Sequence, residues 1–374
     1  MVDPDKRLAS LDVLRGLDLF LLLVAGPLIH TFLRINTSPV WDGVRHQVSH
    51  VSWEGFVLWD IIMPLFLFMS GATIPFSMAK YREGVLPGKQ FYLKLLRRFI
   101  LLFFLGWIVQ GNLLNLDFKT FHPFANTLQA IAVGYVFTAL AFVHFGRKGR
   151  WIFGTACFLA YLLVFIIFGH MNLDPQDNIA MVVDKAVLGS HRDGVIWNPD
   201  GSWTWNEGYQ YTWILSSLNF IVTVMLGCYA GVLLKDRTYR PSYRAILLGG
   251  AGVMMIVLGL AMDSFFPIIK KIWSSSMTLY SGGICSLALA VTYLIVDVWG
   301  IKRGWGWLKC FGMNSITAYF IGEAVNFSSV SRSFLHGFEH LTGDYYPLVV
   351  TSGNVLILFL ILWVMYRKGL FLKV

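Results

Sequence analysis

The feature that most constrains this sequence is a series of apolar runs that recurs along its whole length. Each run is near or above 18 residues, and as a helix it could cross about 30 Å of hydrocarbon. Helices suit such runs because they satisfy their own backbone hydrogen bonds in lipid. Ten spans are predicted, at 9–33, 56–79, 93–114, 126–145, 150–169, 213–234, 244–262, 275–298, 307–328 and 346–366.

Composition also indicates that lipid is the solvent. Only 14% of the 374 residues are charged and 56% are hydrophobic, whereas a soluble domain carries about 25% charged residues. We therefore predict an all-α fold, a polytopic membrane helix bundle of about ten transmembrane helices. It should form a single domain over residues 1–374, with a long extracytoplasmic loop at about 170–212 that packs as a cap.

Basic residues predict the orientation of the bundle. With a cytoplasmic N-terminus, 22 of the 30 Lys and Arg residues fall on the cytoplasmic side, and the C-terminus returns there too. The exception is the pair Lys270 and Lys271, which this topology places outside. The net charge of +9 is then explained by topology and by anionic headgroups of the lipid bilayer, so we expect no nucleic acid partner.

A first polar cluster lies inside the first span. Asp12, Arg15 and Asp18 follow an i, i+3, i+6 spacing and share one helical face. Ionisable residues at such depth cost roughly 2.5–3.5 kcal/mol each on insertion scales, so each needs a reason. One reading is a self-neutralising cluster that joins helices at the cytoplasmic edge. The other is a binding site for a phosphate or a pantetheine arm.

A second cluster precedes and enters the second span. We predict that Ser52 caps a helix, that Glu54 lies in its first turn and that His50 stands just before it. The positive potential of a helix N-terminus would disfavour the imidazolium and leave His50 a neutral base or nucleophile. Asp60 follows about two turns into the same span. His50 could also be an ordinary residue of the membrane interface.

Further polar residues fall within other spans. Asn126, Gln129 and Asn314 could be hydrogen-bonding contacts between helices, whereas the carboxylate of Glu323 needs a partner or a proton. The four cysteines form no CxxC pair, so neither a disulfide framework nor a metal site is expected. These residues alone predict a bundle with a polar interior and do not separate an enzyme from a transporter.

Six segments resemble one protein family. In chain order they are RLASLDVLRGLDLFLL, HVSWEGFVLWDIIMPLFLFMSG, NTLQAIAVGY, PIIKKIWSSSMTLYSGG, FGMNSITAYFIGE and MYRKGLFLKV. Together they span nearly the whole chain and resemble the transmembrane acyltransferases related to heparan-alpha-glucosaminide N-acetyltransferase, including bacterial DUF5009 proteins. Each segment alone is a weak signal, but six in the same order form a strong one.

The resemblance implies an acetyl-CoA-dependent N-acetyltransferase of the bacterial inner membrane. The acetyl group would cross the bilayer to an amino sugar of glucosamine type, and the protein could be a homodimer. His50 matches the family's catalytic histidine, as base or acyl carrier, with Asp60 orienting it or binding the acceptor.

Residues in the matching segments become candidates for the cofactor pocket: Asn126, Gln129, Trp273, Ser274, Ser275 and Asn314. Glu54, Lys270 and Glu323 become candidates for binding the acceptor. Basic residues on the cytoplasmic side could meet the CoA phosphates, namely Arg15, Lys94, Arg97 and Arg98.

Two other functions remain open at this stage. A transporter of a small solute could use Asp60 and Glu323 as proton-linked groups, and an O-acetyltransferase could modify an envelope polysaccharide. Lys270 and Lys271 bear on the site, because they directly precede the matching segment IWSSS. We expect one of them to enter the acceptor side of the cavity and pair with a carboxylate such as Glu323 or with an anionic group of the acceptor. The alternative is contact with headgroup phosphates.

The predicted topology can be tested by labelling. In a cysteine-free background, single cysteines at Asp117 and His191 should react from outside with an impermeant thiol reagent, whereas those at Arg147 and Lys302 should not. Reaction at position 147 from outside would overturn the orientation.

Overall fold

The chain is a bundle of helices in a computed structural model, which describes residues 8–79, 81 and 87–371. This confirms the predicted all-α polytopic fold. The helices, in chain order, are α1 (Ala9–Phe20), α2 (Gly26–Ile35), α3 (Asp42–Val48), α4 (Ile62–Ala72), α5 (Ile74–Ser77), α6 (Lys89–Val109), α7 (Thr127–His144), α8 (Arg147–Ile167), α9 (Ile179–Leu188), α10 (Ser217–Lys235), α11 (Pro241–Asp263), α12 (Ser275–Tyr293), α13 (Gly306–Met313), α14 (Ser315–Ala324), α15 (Ser328–Leu335), α16 (Glu339–Thr342) and α17 (Tyr346–Arg367). Strands β1 (Val195–Trp197) and β2 (Trp203–Trp205) pair as an antiparallel hairpin.

Eight helical segments of the described residues are long and apolar enough to cross a membrane. The first joins α1 to α2 through a π-helical turn at Leu21–Ala25. The predicted spans 93–114 and 307–328 are not among the eight. The first of these corresponds to α6, which carries four basic residues in its first ten positions. The second is broken at Asn314 into the short helices α13 and α14.

The centre of the bundle depends on close contact between helices. A Cβ atom on Gly71 of α4 would lie 1.9 Å from the carbonyl oxygen of Val224 in α10. One on Gly227 of α10 would lie equally close to the carbonyl oxygen of Phe68 in α4. Small residues let helix backbones approach in this way, and association in lipid depends on such packing. The two helices therefore form a rigid pair at the core.

The start of α1 is fixed by a distant carboxylate. Asp297, at the end of the span that contains α12, accepts hydrogen bonds from the backbone N–H groups of Ala9 (3.2 Å) and Ser10 (3.0 Å). A carboxylate at this position satisfies unpaired donors and complements the helix dipole. The start of the first span therefore adjoins the end of the span that contains α12, and both belong to the cytoplasmic side in the predicted topology.

The contact between α4 and α10 predicts the effect of one added methyl group. Gly227→Ala should lower the thermal unfolding midpoint in detergent, because its Cβ has no room beside the α4 backbone. Gly250→Ala is the matched control, since no atom lies within 4 Å of a Cβ there and alanine favours a helix. Equal midpoints for the two variants would contradict the close packing.

Candidate active site

The buried carboxylate of Asp60 is the centre of the site. Asp60 lies in a 3-10 turn, Leu58–Ile61, that leads into α4, and it is 0% exposed. Its Oδ1 lies 2.6 Å from His50 Nδ1 and 3.1 Å from Lys270 Nζ. Its Oδ2 accepts a hydrogen bond from the backbone N–H of Val57 (3.2 Å). A buried carboxylate is stabilised as an anion when its oxygens are partnered in this way.

The contact with Asp60 determines which nitrogen of His50 carries a proton. An ionised carboxylate only accepts hydrogen bonds, so Nδ1 must be the donor in the 2.6 Å contact. Lys270 Nζ also lies 3.1 Å from Nδ1, but it donates to Asp60 because Nδ1 already bears its proton. In the neutral ring, Nε2 is then the basic atom. The side chain of His50 is 45% exposed, so this base is accessible.

Lys270 and Lys271 differ sharply in their surroundings. Both lie in the connection between α11 and α12, but Lys270 is buried and pairs with Asp60, not with Glu323. Burial lowers the pKa of Lys270, and the nearby charge of Asp60 opposes that shift. Lys271 instead donates to the carbonyl oxygen of Ser52 (2.6 Å) and to Gln210 Oε1 (2.7 Å). It therefore ties two loops together at the surface.

The segment around Ser52 corrects one expectation. Ser52 does not cap a helix, and Glu54 is not in a first helical turn. Glu54 forms an antiparallel bridge with Ile269, and the N–H of Gly55 donates to the carbonyl oxygen of Ile268 (2.8 Å). Gly55 has a φ of 109°, a conformation that glycine adopts without strain. This pairing between loops brings His50 and Lys270 together, although they are 220 positions apart.

A cavity of about 290 Å³ opens beside His50. It combines the base and the ammonium group with aromatic side chains and two further carboxylates. The polar and aromatic residues of its wall include His50, Trp59, Phe66, Gln110, Thr127, Asp193, Tyr209, Tyr211, Trp213, Lys270, Tyr319 and Glu323. An amphiphilic molecule with a cationic group would find both aromatic faces and negative charge in this space.

One wall of the cavity comes from the long connection before α10. Tyr209, Tyr211 and Trp213 all line the cavity. The N–H of Thr212, which lies between them, donates to the carbonyl oxygen of Lys271 (3.0 Å). Side chains at every second position of an extended segment share a face. The sequence shows this i, i+2 aromatic spacing, but not which surface it faces.

Two buried charges hold this aromatic wall in place. Arg192 donates to the carbonyl oxygens of Tyr209 (3.3 Å) and Tyr211 (3.0 Å). Asp184 accepts from the N–H groups of Trp213 (2.7 Å) and Ile214 (2.9 Å). Burial raises the pKa of Asp184 to about 6, against the opposing effect of those N–H groups and of Arg192. Nothing in the sequence singled out either charge, because both act on backbone groups.

The candidates at the start of α7 belong to the framework behind the cavity. Asn126 accepts from the N–H of Leu128 (2.6 Å) and donates to Gln110 Oε1 (2.9 Å), so it positions a residue of the wall. Gln129 is buried and bonds the backbone of Pro123 and Ala125. Neither side chain lines the cavity itself.

The candidates at the start of α12 also have framework positions. Ser274 caps α12 by accepting from the N–H of Met277 (3.2 Å). Trp273 has a left-handed backbone with φ of 53°, and its indole N–H donates to Thr223 Oγ1 (3.1 Å). Ser275 is buried beside Asn219. Asn314 is buried at the break between α13 and α14.

The remaining candidates lie away from the cavity wall. Glu54 is exposed on the loop that follows His50, and Lys94 and Arg97 are exposed on α6. Arg15 is partly buried on α1. The guanidinium of Arg98 stacks on the ring of Tyr135 at 3.7 Å. Its Nε is buried and has no hydrogen-bond partner among the described residues.

Comparison with known proteins relates the chain to one group. Residues 7–113 match the family described as a domain of unknown function, DUF5009. The chain is 25% identical to the human heparan-alpha-glucosaminide N-acetyltransferase over 98% of its own length and 60% of that protein. It is 24% identical to the mouse enzyme of the same name, over 99% of this chain and 61% of that protein. The chain thus spans about three fifths of the length of these relatives.

The pairing of Asp60 with Lys270 predicts an asymmetry between single and double substitutions. Asp60→Asn should destabilise the fold by about 3–5 kcal/mol, because it leaves a buried ammonium group unpaired. The double variant Asp60→Asn/Lys270→Met should recover much of that loss. Removing the exposed pair of Asp42 and Arg45 should change stability by less than about 1 kcal/mol. Unfolding in a mild detergent measures all three, and a double variant no more stable than Asp60→Asn would contradict the pairing.

Proposed function

We propose, from the relationship of this chain to the acyltransferase family of heparan-alpha-glucosaminide N-acetyltransferase, that it moves an acetyl group from acetyl-CoA to an amino sugar. The reaction would cross the bilayer, and His50 would act as general base. One observation carries the proposal: His50 Nδ1 lies 2.6 Å from the buried carboxylate of Asp60, and His50 lines a cavity. The proposal includes a location in the bacterial inner membrane, a small-molecule or saccharide acceptor and a homodimeric protein.

His50 would carry the proton in this reaction. When bound, acetyl-CoA supplies a thioester carbonyl. As the acceptor nitrogen bonds to that carbon, His50 Nε2 takes the proton that the nitrogen releases, and the carbon–sulfur bond breaks. The imidazolium returns the proton to the departing sulfur. Asp60 stabilises the imidazolium through Nδ1, as a buried carboxylate does for a catalytic histidine.

The same nitrogen also suits a two-step reaction. Nε2 could take the acetyl group itself and pass it to the acceptor in a second step, which requires the same neutral ring. In both routes negative charge develops on the carbonyl oxygen. The ammonium group of Lys270 lines the cavity beside His50 and would stabilise that charge.

The wall of the cavity supports an amine as the acceptor. Glu323 and Asp193 place two carboxylates in a space that also holds the base. Opposite charge would attract an ammonium group, which would lose a proton to one of these carboxylates before it attacks as a neutral amine. The rings of Tyr211 and Trp213 offer flat faces for a sugar. A hydroxyl acceptor has no need of such carboxylates, although the pairing of His50 and Asp60 would also activate a hydroxyl.

The donor would reach the cavity from the predicted cytoplasmic side. Arg98 lies on α6, and Gln110, which follows the last residue of α6, lines the cavity of His50. The two are twelve positions apart, about 18 Å along a helix axis. A pantetheine arm would bridge this distance, with phosphates near Lys94, Arg97, Arg98 and Arg15.

Substitution of His50 tests the proposed chemistry. His50→Ala should lower acetyl transfer to glucosamine by about a hundredfold or more, since general-base catalysis contributes about that much. Its affinity for acetyl-CoA should stay close to that of the parent protein. His46→Ala is the matched control, because His46 is an exposed residue of the neighbouring helix α3. Near-normal transfer by His50→Ala would remove this residue from the mechanism.

A further inference from the structure

A second cavity lies beside the first and opens between helices. It has a volume of about 400 Å³ and lies between α2, the end of α14 and α17. Its wall combines the apolar residues Leu23, Pro27, Val325, Phe327, Val355 and Leu358 with the polar residues Asn326, Thr351 and Asn354. We refer to it as the lateral groove. Leu22 and Glu323 line both the lateral groove and the cavity of His50, so the two spaces are neighbours.

The lateral groove exists because a helix is interrupted. α14 ends at Ala324, Val325 has an extended backbone, and the next helix begins only at Ser328. Asn326 stabilises this break, since its Oδ1 accepts from the N–H of Ser328 (2.9 Å). Residues 325–327 are therefore not helical. A continuous helix at this position would fill the space between α2 and α17. Irregular backbone at membrane depth is tolerated where it borders a cavity.

The surroundings of the lateral groove indicate a hydrocarbon environment. In the last candidate span, Ser328–Arg367, only 17% of the most apolar stretch is buried within the chain, so α17 mainly faces outward. Phe334 and Leu341 follow the break and are 83% and 70% exposed. Apolar side chains so exposed beside a spanning helix suit the interface of a bilayer. The lateral groove thus leads from lipid towards Glu323.

We infer that the acceptor is an amphiphile, a sugar amine carried on an apolar chain, whose chain occupies the lateral groove while its amine lies in the cavity of His50. The inference deepens the proposed function and rests on it. A soluble sugar would need only the opening beside His50. A chain that remains in the bilayer needs a side entrance at the depth of the site, and the interrupted helix supplies one.

A pair of acceptors that differ only in the chain tests this inference. Transfer to dodecyl and to methyl glucosaminide is compared in lipid nanodiscs. The parent protein should favour the dodecyl acceptor in kcat/KM by about tenfold or more, which the burial of a few methylene groups can supply. In Val355→Trp, whose indole would fill the lateral groove, the ratio should fall about tenfold below that of the parent protein.

A neighbouring residue provides the control. Leu356→Trp adds the same side chain on α17 at a position that is 55% exposed and does not line the lateral groove. Its ratio should equal that of the parent protein. Partition of the dodecyl chain into the bilayer is the same for every variant, so it cannot produce a difference in the ratio between Val355→Trp and Leu356→Trp. A parent ratio near one, or equal ratios in both tryptophan variants, would overturn the inference.

Cross-linking of the parent protein tests whether the chain of the acceptor binds in the lateral groove, and it depends neither on turnover nor on the folding of the variants. A dodecyl glucosaminide with a diazirine at the end of its chain should label peptides that contain residues 322–327 or 351–358. Labelling confined to other segments would overturn the lateral groove as the chain site. Absence of transfer to both glycosides would instead contradict the proposed function, and the cross-link would still report on the chain.

Discussion

A completely buried carboxylate needs partners, and in this protein Asp60 draws them from three parts of the chain. His50 comes from the loop before α4, Lys270 from the connection before α12, and the N–H of Val57 from the turn beside Asp60 itself. His50 and Lys270 both contact Oδ1, and the N–H of Val57 contacts Oδ2, so both oxygens of the buried carboxylate are partnered. The geometry of the base follows from this requirement. Because Asp60 fixes Nδ1 as the donor, Nε2 is left as the base.

The rest of the structure supports the two loops that carry these groups. The bridge between Glu54 and Ile269 holds the loops side by side. Lys271 joins both to the aromatic wall through Ser52 and Gln210. Asp60 lies just before α4, and α4 packs against α10 with the two backbones in contact, so the position of Asp60 is rigidly supported. A reactive constellation keeps its geometry when rigid elements and a second layer of contacts position it.

Sequence reasoning reached the fold because the signals for it are local and physical. Apolar runs predicted eight of the spans to within a few residues, whereas the predicted spans 93–114 and 307–328 are not among the candidate spans, and the second of these is divided at Asn314. Lys270 also stood out in the sequence, because the predicted topology places it outside whereas most Lys and Arg residues are cytoplasmic. Sequence reasoning could not assign the partner of Lys270, because pairing with Asp60 depends on how two loops meet, 210 positions apart.

The same limit explains the residues that sequence reasoning misplaced or missed. Ser52 and Glu54 have the composition of a helix start, but backbone pairing with the loop at Ile269 prevails over that local preference. Asp184 and Arg192 hold the aromatic wall by bonding to its backbone atoms. Every residue has such backbone atoms, so no sequence pattern reveals this kind of contact. Local patterns thus predicted the elements and several of the groups, while the contacts between loops determined the site.

The central claim is that a base at one face of the bundle takes part in acetyl transfer across the bilayer. Vesicles that contain the purified protein, with acetyl-CoA on the side of Arg98 and glucosamine on the side of His50, test it most directly. We expect N-acetylglucosamine, an alkali-stable amide, on the side of His50, and free CoA on the other side. Glucosamine that crosses the membrane without being acetylated would contradict the account and indicate a transporter.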